Sequence, residues 1–146
     1  MVRSLDETLS QADYEALANL RYTLRKFMDF STSAAQEAGL PPQQHQALLA
    51  IKGNRQDTPM TIGMLAERLR IAPHTATELV GRLADADYVT RHPDPVDKRR
   101  QTLQLTDRSE DVLLRLSAIH LREIRDMAPQ LIEILTQLQA EAETAG

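Results

Sequence analysis

Apolar residues recur at three- and four-residue steps over most of this chain, and the breaks between periodic stretches divide it into helices. From about Asp13 to Ala38, the positions Tyr14, Leu17, Leu20, Leu24, Phe27 or Met28, Ser31 and Ala35 share one helical face. Gly39 and then Pro41-Pro42 end that helix. About 26 residues at 1.5 Å each make a rod of about 39 Å, too long for one small domain to cover, so its apolar face calls for a partner. A second helix opens on Pro42, runs to about Lys52 and stops at Gly53-Asn54, with Leu48, Leu49 and Ile51 as its expected core residues. After a polar loop, Thr61 is placed to cap a short helix over Ile62–Leu69. The turn Arg70-Ile71-Ala72 leads to Pro73, which opens the next helix, predicted to about Ala86. Leu65, Ala66 and Leu69 on the first can pack on Ile71, Ala76, Leu79, Val80 and Leu83 around the turn, the pattern of a helix-turn-helix.

The period then changes. Tyr88-Val89-Thr90-Arg91 and Thr102-Leu103-Gln104-Leu105 read as two strands, with Pro93 to Arg100 as the tip between them. Two prolines cannot sit in the middle of a ladder, so the tip must leave the sheet and carry Lys98, Arg99 and Arg100 out with it. Thr106 or Asp107 caps a further helix, roughly Arg108 to Met127, striped by Leu113, Leu116, Ile124 and Met127, with Leu114, Leu121 and Ala128 beside them. Pro129 is expected to break it, leaving a last helix from Pro129 to about Glu143 with Leu131, Leu135 and Leu138. The order predicts a mainly α fold with a small β-hairpin wing. A winged helix-turn-helix domain that docks on duplex DNA would occupy 41–106. A helical dimerisation layer would come from 1–40 and 107–146, closed only when two chains meet.

Composition narrows this further. The 146 residues contain no cysteine, which removes disulfides, zinc ribbons and thiol chemistry. No apolar run of about 18 residues is present, and the N-terminal stretch has no apolar leader core, so a cytoplasmic protein is expected. Net charge is −4, but it is uneven. Residues 1–60 hold 6 Lys+Arg against 7 Asp+Glu, residues 61–106 hold 7 against 6, and residues 107–146 hold 4 against 8. The middle is the least negative segment, which suits a local basic footprint better than a general nucleic-acid coat. His45, His74, His92 and His120 have no ligand-like spacing, so no metal is expected, and no cofactor-binding loop can be placed among 5 glycines. With no nucleophile-base set either, an enzyme is not expected.

Asp94-Pro95-Val96-Asp97-Lys98-Arg99, followed at the expected spacing by Leu105-Thr106, resembles the wing signature of the multiple-antibiotic-resistance regulator (MarR) family of bacterial transcription factors. Leu65-Ala66 with Leu69, Leu79-Val80 with Arg82-Leu83, and Val89 with Arg91 resemble the family's helix-turn-helix and the start of its wing. The resemblance covers nearly the whole chain. Three positions depart from it. Ala72 replaces a serine-type cap, at a cost of about 1 kcal/mol. Asp87 stands where glycine is usual, and Ser109 stands where glycine often follows Leu-Thr.

On this reading a homodimer sets two recognition helices into major grooves about 34 Å apart, so the operator should be an inverted repeat of double-stranded DNA. His74, Thr75, Thr77 and Glu78 are placed at the exposed start of the recognition helix. The threonines can reach bases or a thymine methyl. Glu78 can accept from a cytosine amino group or pair with Arg82, its i+4 neighbour. Arg82 is assigned to the DNA backbone. In the wing, Arg99 is the candidate for the minor groove, with Arg91, Lys98 and Arg100 as phosphate clamps. Asp94 and Asp97 are assigned to the wing's own structure, because a carboxylate aimed at phosphate would repel it. The resemblance also implies a pocket for a small aromatic or phenolic effector that releases a repressor. Tyr22, Arg25, Lys26, Phe27, Phe30 and His45 are its candidates; the plainer reading of them is dimer core with solvated cations. The rival function is a winged-helix protein-interaction adaptor without specific DNA binding.

Overall fold

The structure is a computed structural model and describes residues 9–145, the side chains of 140–145 excepted. Residues 1–8, which carry the reading of the N-terminus and open the expected dimerisation region, lie outside the described residues, as does Gly146. The elements are α1 (Gln11–Glu37), α2 (Pro42–Lys52), β1 (Met60–Thr61), α3 (Ile62–Leu69), α4 (Pro73–Asp85), β2 (Val89–Pro93), β3 (Gln101–Leu105) and α5 (Asp107–Ala145). They form two compact units, one from Ala34–Ser117 and one from Met1–Ser33 with Ala118–Gly146.

Local chemistry sets the helix ends. Ser10 and Asp13 form a capping box before α1: the Ser10 amide donates to Asp13 Oδ2 at 2.8 Å and the Asp13 amide to Ser10 Oγ at 3.1 Å. Thr61 Oγ1 accepts from the Met64 amide at 3.2 Å and caps α3 as expected. Ala72 makes no side-chain cap, so α4 relies on Pro73 to set its first turn. Three helices close with the same pair of backbone bonds across a left-handed residue. These residues are Gly39 after α1, Arg70 after α3 and Asp87 after α4, at φ of 76°, 58° and 64°. At Asp87 the Tyr88 amide donates to the Leu83 carbonyl at 2.8 Å and the Asp87 amide to the Ala84 carbonyl at 3.0 Å. An aspartate tolerates this conformation less readily than glycine, and these bonds help hold it there.

The first unit is built around a three-stranded antiparallel sheet in the order β1-β3-β2. Val89 to Pro93 pair with Leu105 to Gln101, and Met60-Thr61 pair with Leu103-Thr102. The third strand was not expected: two residues are too few to show a period. Pro93 was expected in the tip and instead ends β2 opposite Gln101. β2 is an edge strand, where a residue without an N–H is tolerated. Leu48, Leu65, Leu79, Val80, Leu83, Val89, Leu103, Leu113 and Leu116 pack into one buried cluster with Met60 and Leu40. Leu49, expected in this core, is exposed instead; it lies next to the buried Leu48 but turned about 100° around the helix.

In the second unit the chain buries only part of the predicted face of α1: Leu20, Phe27 and Ser31 are half-buried. Asp13, Ala16 and Thr23 are buried, whereas Tyr14, Leu17, Leu24 and Met28 are 55%, 46%, 48% and 58% exposed. His120 of α5 lies edge-on to the Phe27 and Phe30 rings, at centroid distances of 6.0 and 5.3 Å, with its Nε2 2.9 Å from Ser31 Oγ. Pro129 does not break the last helix: α5 is continuous over 39 residues with Pro129 inside it. A proline removes one backbone bond and crowds the preceding turn, a local cost of about 3 kcal/mol. The long helical runs on both sides, and the burial of Ile134 one turn beyond, act against a break there. Among the described residues no helix is long and apolar enough to cross a membrane.

Candidate nucleic-acid interface

Two elements of the Ala34–Ser117 unit carry the candidate residues. α4 buries Ala76, Leu79, Val80 and Leu83 and turns its other face outward. His74, Thr77, Glu78 and Arg82 are exposed on that face, and Thr75 is half-buried at its margin. The Thr77 hydroxyl donates to the Pro73 carbonyl at 3.1 Å, which leaves its oxygen able to accept. Among the described residues no ion pair joins Glu78 to Arg82, so both side chains stand open to a partner.

The wing is ordered by its own acids. The Val96 amide donates to Asp94 Oδ1 at 3.1 Å, and the Asp94 amide to the Arg100 carbonyl at 3.0 Å. Asp97 accepts from the Arg99 guanidinium through both oxygens, Nε to Oδ1 at 3.1 Å and Nη2 to Oδ2 at 3.2 Å. It also accepts from the Arg99 amide at 3.1 Å and lies 3.6 Å from Arg100 Nε. Hydrogen bonds from the Arg99 side chain and backbone, aided by the charge of Arg100, hold the Asp97 carboxyl below the usual aspartate range. Arg99 remains 90% exposed while clasped, so the bond orients the cation without burying it. Arg91, Lys98 and Arg100 are exposed as well.

The α3 start, Thr77 of α4 and the wing tip border one open concavity of about 650 Å³, lined by Thr61, Gly63, Met64, Glu67, Lys98 and Arg100 among others. Sequence reasoning found the wing cations but missed Thr61, Gly63, Glu67 and Gln101 as their neighbours. The missing signal was β1, which pairs with β3 and brings the start of α3 beside the wing.

A second feature missed from sequence is the joint between α4 and α5. The Thr106 hydroxyl donates to the Asp87 carbonyl at 2.7 Å, and the Ser109 amide donates to Thr106 Oγ1 at 3.2 Å. The Arg108 guanidinium lies 4.8 Å over the Tyr88 ring and 3.4 Å from its hydroxyl. Ser109 is fully buried, its Oγ accepting from the Thr106 amide at 3.0 Å, so the serine in place of a glycine completes a cap.

The residues named for an effector pocket are not brought to one described cavity. Tyr22, Arg25 and Lys26 are exposed on α1, with Lys26 Nζ 4.6 Å over the Tyr22 ring. Phe27 and Phe30 flank His120 in the same unit, while His45 is buried in the Ala34–Ser117 unit. A groove of about 530 Å³ in that unit has Leu113 and Leu114 as apolar lining and Lys52, Asp107, Glu110 and Asp111 as charged groups. Lys52 Nζ is paired with Glu110 at 2.9 Å. Among the described residues no group of three or more His, Cys, Asp or Glu is arranged to hold a metal ion.

An outward-facing second helix, a three-stranded sheet and a cationic hairpin define a winged helix-turn-helix protein. Residues 38–100 match the model of the MarR family. The chain thus shares α2 to the tip of the wing with that family. It is 37% identical over 71 residues to the uncharacterized HTH-type transcriptional regulator YcgE of Bacillus subtilis (strain 168), across 49% of this chain and 44% of that protein. The match thus spans less than half of the relative's length. Among solved structures, AbsC, a MarR family transcriptional regulator from Streptomyces coelicolor, superposes with a TM-score of 0.72 at 19% identity, covering 92% of each chain. MepR of S. aureus in its DNA complex gives 0.69 at 17% identity, covering 94% of this chain and 96% of that one. These relatives are named as transcriptional regulators.

Proposed function

We propose that the protein is a sequence-specific DNA-binding transcriptional regulator that acts as a homodimer on an inverted-repeat operator. The observation that carries the reading is the shared concavity of α3, α4 and the wing. Lys98 and Arg100 line it, and Arg99 is held ready by Asp97. Phosphates meet the wing cations and the start of α3, while His74, Thr77 and Glu78 face the base edges. Arg99 enters a narrow minor groove and Arg91 and Arg82 clamp the backbone. The family match and the DNA-bound MepR neighbour support the same reading.

The dimer rests on the uncovered stripes of α1 and α5. Leu17, Leu24 and Met28, with Leu121, Ile124, Ile132 and Leu135, are too many exposed aliphatic residues for surfaces that stay in water. A second copy of this chain supplies the cover. Repression, with release by a small aromatic or phenolic ligand, completes the reading; the Phe27–His120–Phe30 cluster is the aromatic surface such a ligand would meet.

The test is fluorescence-anisotropy titration of the duplex just upstream of its own gene, with salt and unrelated competitor DNA. Tight, competitor-resistant binding that weakens steeply with salt is expected. Arg99→Ala should weaken it by about tenfold. Binding no better than to competitor, for this duplex and for any recovered by selection, would favour the protein-interaction adaptor instead.

A further inference from the structure

α4 contains a glycine that its own fold does not explain. Gly81 lies inside the helix, four residues before its end. Glycine there costs about 1 kcal/mol relative to alanine, because it loses more backbone freedom on folding. Such a residue is usually kept for a left-handed conformation or for close packing. Neither applies here: among the described residues the left-handed non-glycine residues are Arg70 and Asp87, the left-handed glycine is Gly39, and Gly81 has an ordinary φ. A Cβ built on Gly81 meets nothing within 4 Å, whereas one on Gly53 would press on the Leu49 carbonyl at 3.2 Å. Alanine would fit, and the helix would be stronger for it.

Its position on the helix is informative. The buried residues Ala76, Leu79, Val80 and Leu83 span one side of α4. At 100° per residue, their opposite side is centred on His74, Glu78, Gly81 and Asp85. Gly81 therefore sits near the midline of the outward face, one turn beyond Thr77 and Glu78 and beside Arg82. The missing side chain leaves a notch in the surface that the proposed function sets against the major groove.

We infer that Gly81 is a specificity-determining position, its bare backbone letting α4 seat closer to the base-pair edges than any side chain there would permit. The inference rests on the DNA-binding reading and adds to it a residue that no charge or hydrogen-bond argument would select. The groove wall meets the helix locally at position 81, between the longer side chains, so a methyl group there presses on it and shifts the neighbouring Glu78 and Arg82 together. Short polar contacts to bases are lost first, because they fail over a few tenths of an ångström. Contacts to phosphate fall off more gently, so the binding that remains is the non-specific kind.

The experiment uses the full-length protein and the tightest duplex that it recovers from a random-sequence pool. Gly81→Ala and Gly81→Val are compared with the unaltered protein by anisotropy, with sheared genomic DNA as the non-specific probe, and by thermal melting. The expected result for Gly81→Ala is a melting temperature raised by about 4 °C, selected-duplex affinity reduced about tenfold, and affinity for sheared DNA within twofold. Gly81→Val should lose more on the selected duplex. Unchanged affinity for that duplex in a stabilised Gly81→Ala protein would overturn the inference and leave the DNA-binding reading intact. So would a lowered melting temperature, since the fold itself would then need the glycine. An unaltered protein that selects no duplex would sink the DNA-binding reading, and the inference with it.

Discussion

The two units of this chain treat their aliphatic residues in opposite ways. In the Ala34–Ser117 unit, Leu48, Leu65, Leu83 and Leu116 are almost completely hidden. In the other unit, made of the outer parts of α1 and α5, Leu17, Leu24, Ile132 and Leu135 are about half exposed, and a polar residue, Thr23, is among the most deeply buried. The winged unit completes its core within one chain. The helical unit buries Ala16, Thr23 and Ile134 and leaves most of its large aliphatic groups for something else. A residue's hydrophobicity states that it will be covered; it does not state by which chain.

That contrast can be broken by substitution. Leu83→Ala removes a fully buried side chain of the winged unit and should cost about 3–4 kcal/mol. Chemical denaturation should show this loss to be the same at low and high protein concentration. The paired change Leu17→Glu with Leu24→Glu should leave that core alone and weaken self-association by at least about 100-fold, or about 3 kcal/mol, since two carboxylates would lose water at the contact. Sedimentation equilibrium reads this directly. Unaltered association in the double variant would mean that the α1 stripe is not where two copies meet.

The smallest effect lies in the wing. The Asp97 carboxyl titrates below its ordinary value, so the clasp on Arg99 is complete above that value. It is lost only as pH falls through the lowered folded one. Between pH 5 and 8 the Asp97 carboxyl should therefore show no titration. A carboxyl-detected NMR titration that found Asp97 protonating at or above an ordinary aspartate would contradict the clasp.

The helix-turn-helix was legible because its signals are local. Thr61 as a cap, Pro73 at a first turn, and the stripe Ala76, Leu79, Val80, Leu83 each depend on residues within one or two turns. The wing cations were legible for the same reason: prolines and charges in a row force a projecting tip. Pro129 misled because a local breaking tendency can be outweighed by the long helix on either side of it. Of the predicted face of α1, Ala35 is buried and Leu20, Phe27 and Ser31 are half-buried, while Tyr14, Leu17, Leu24 and Met28 stay uncovered within one chain.

By itself, then, the sequence determined the order of α1 to α4, the turn between α3 and α4, and the charge of the wing, since each follows from neighbours along the backbone. Only the tertiary structure decided what depends on residues far apart in the chain. Pairing of Met60-Thr61 with Leu103-Thr102 brings the start of α3 beside the wing. The bond from Thr106 to Asp87 ties the end of α4 to the start of α5. The outward notch at Gly81 appears only once the neighbours a Cβ would meet are known to be absent. No periodicity encodes such meetings, because they are made by the path of the whole chain.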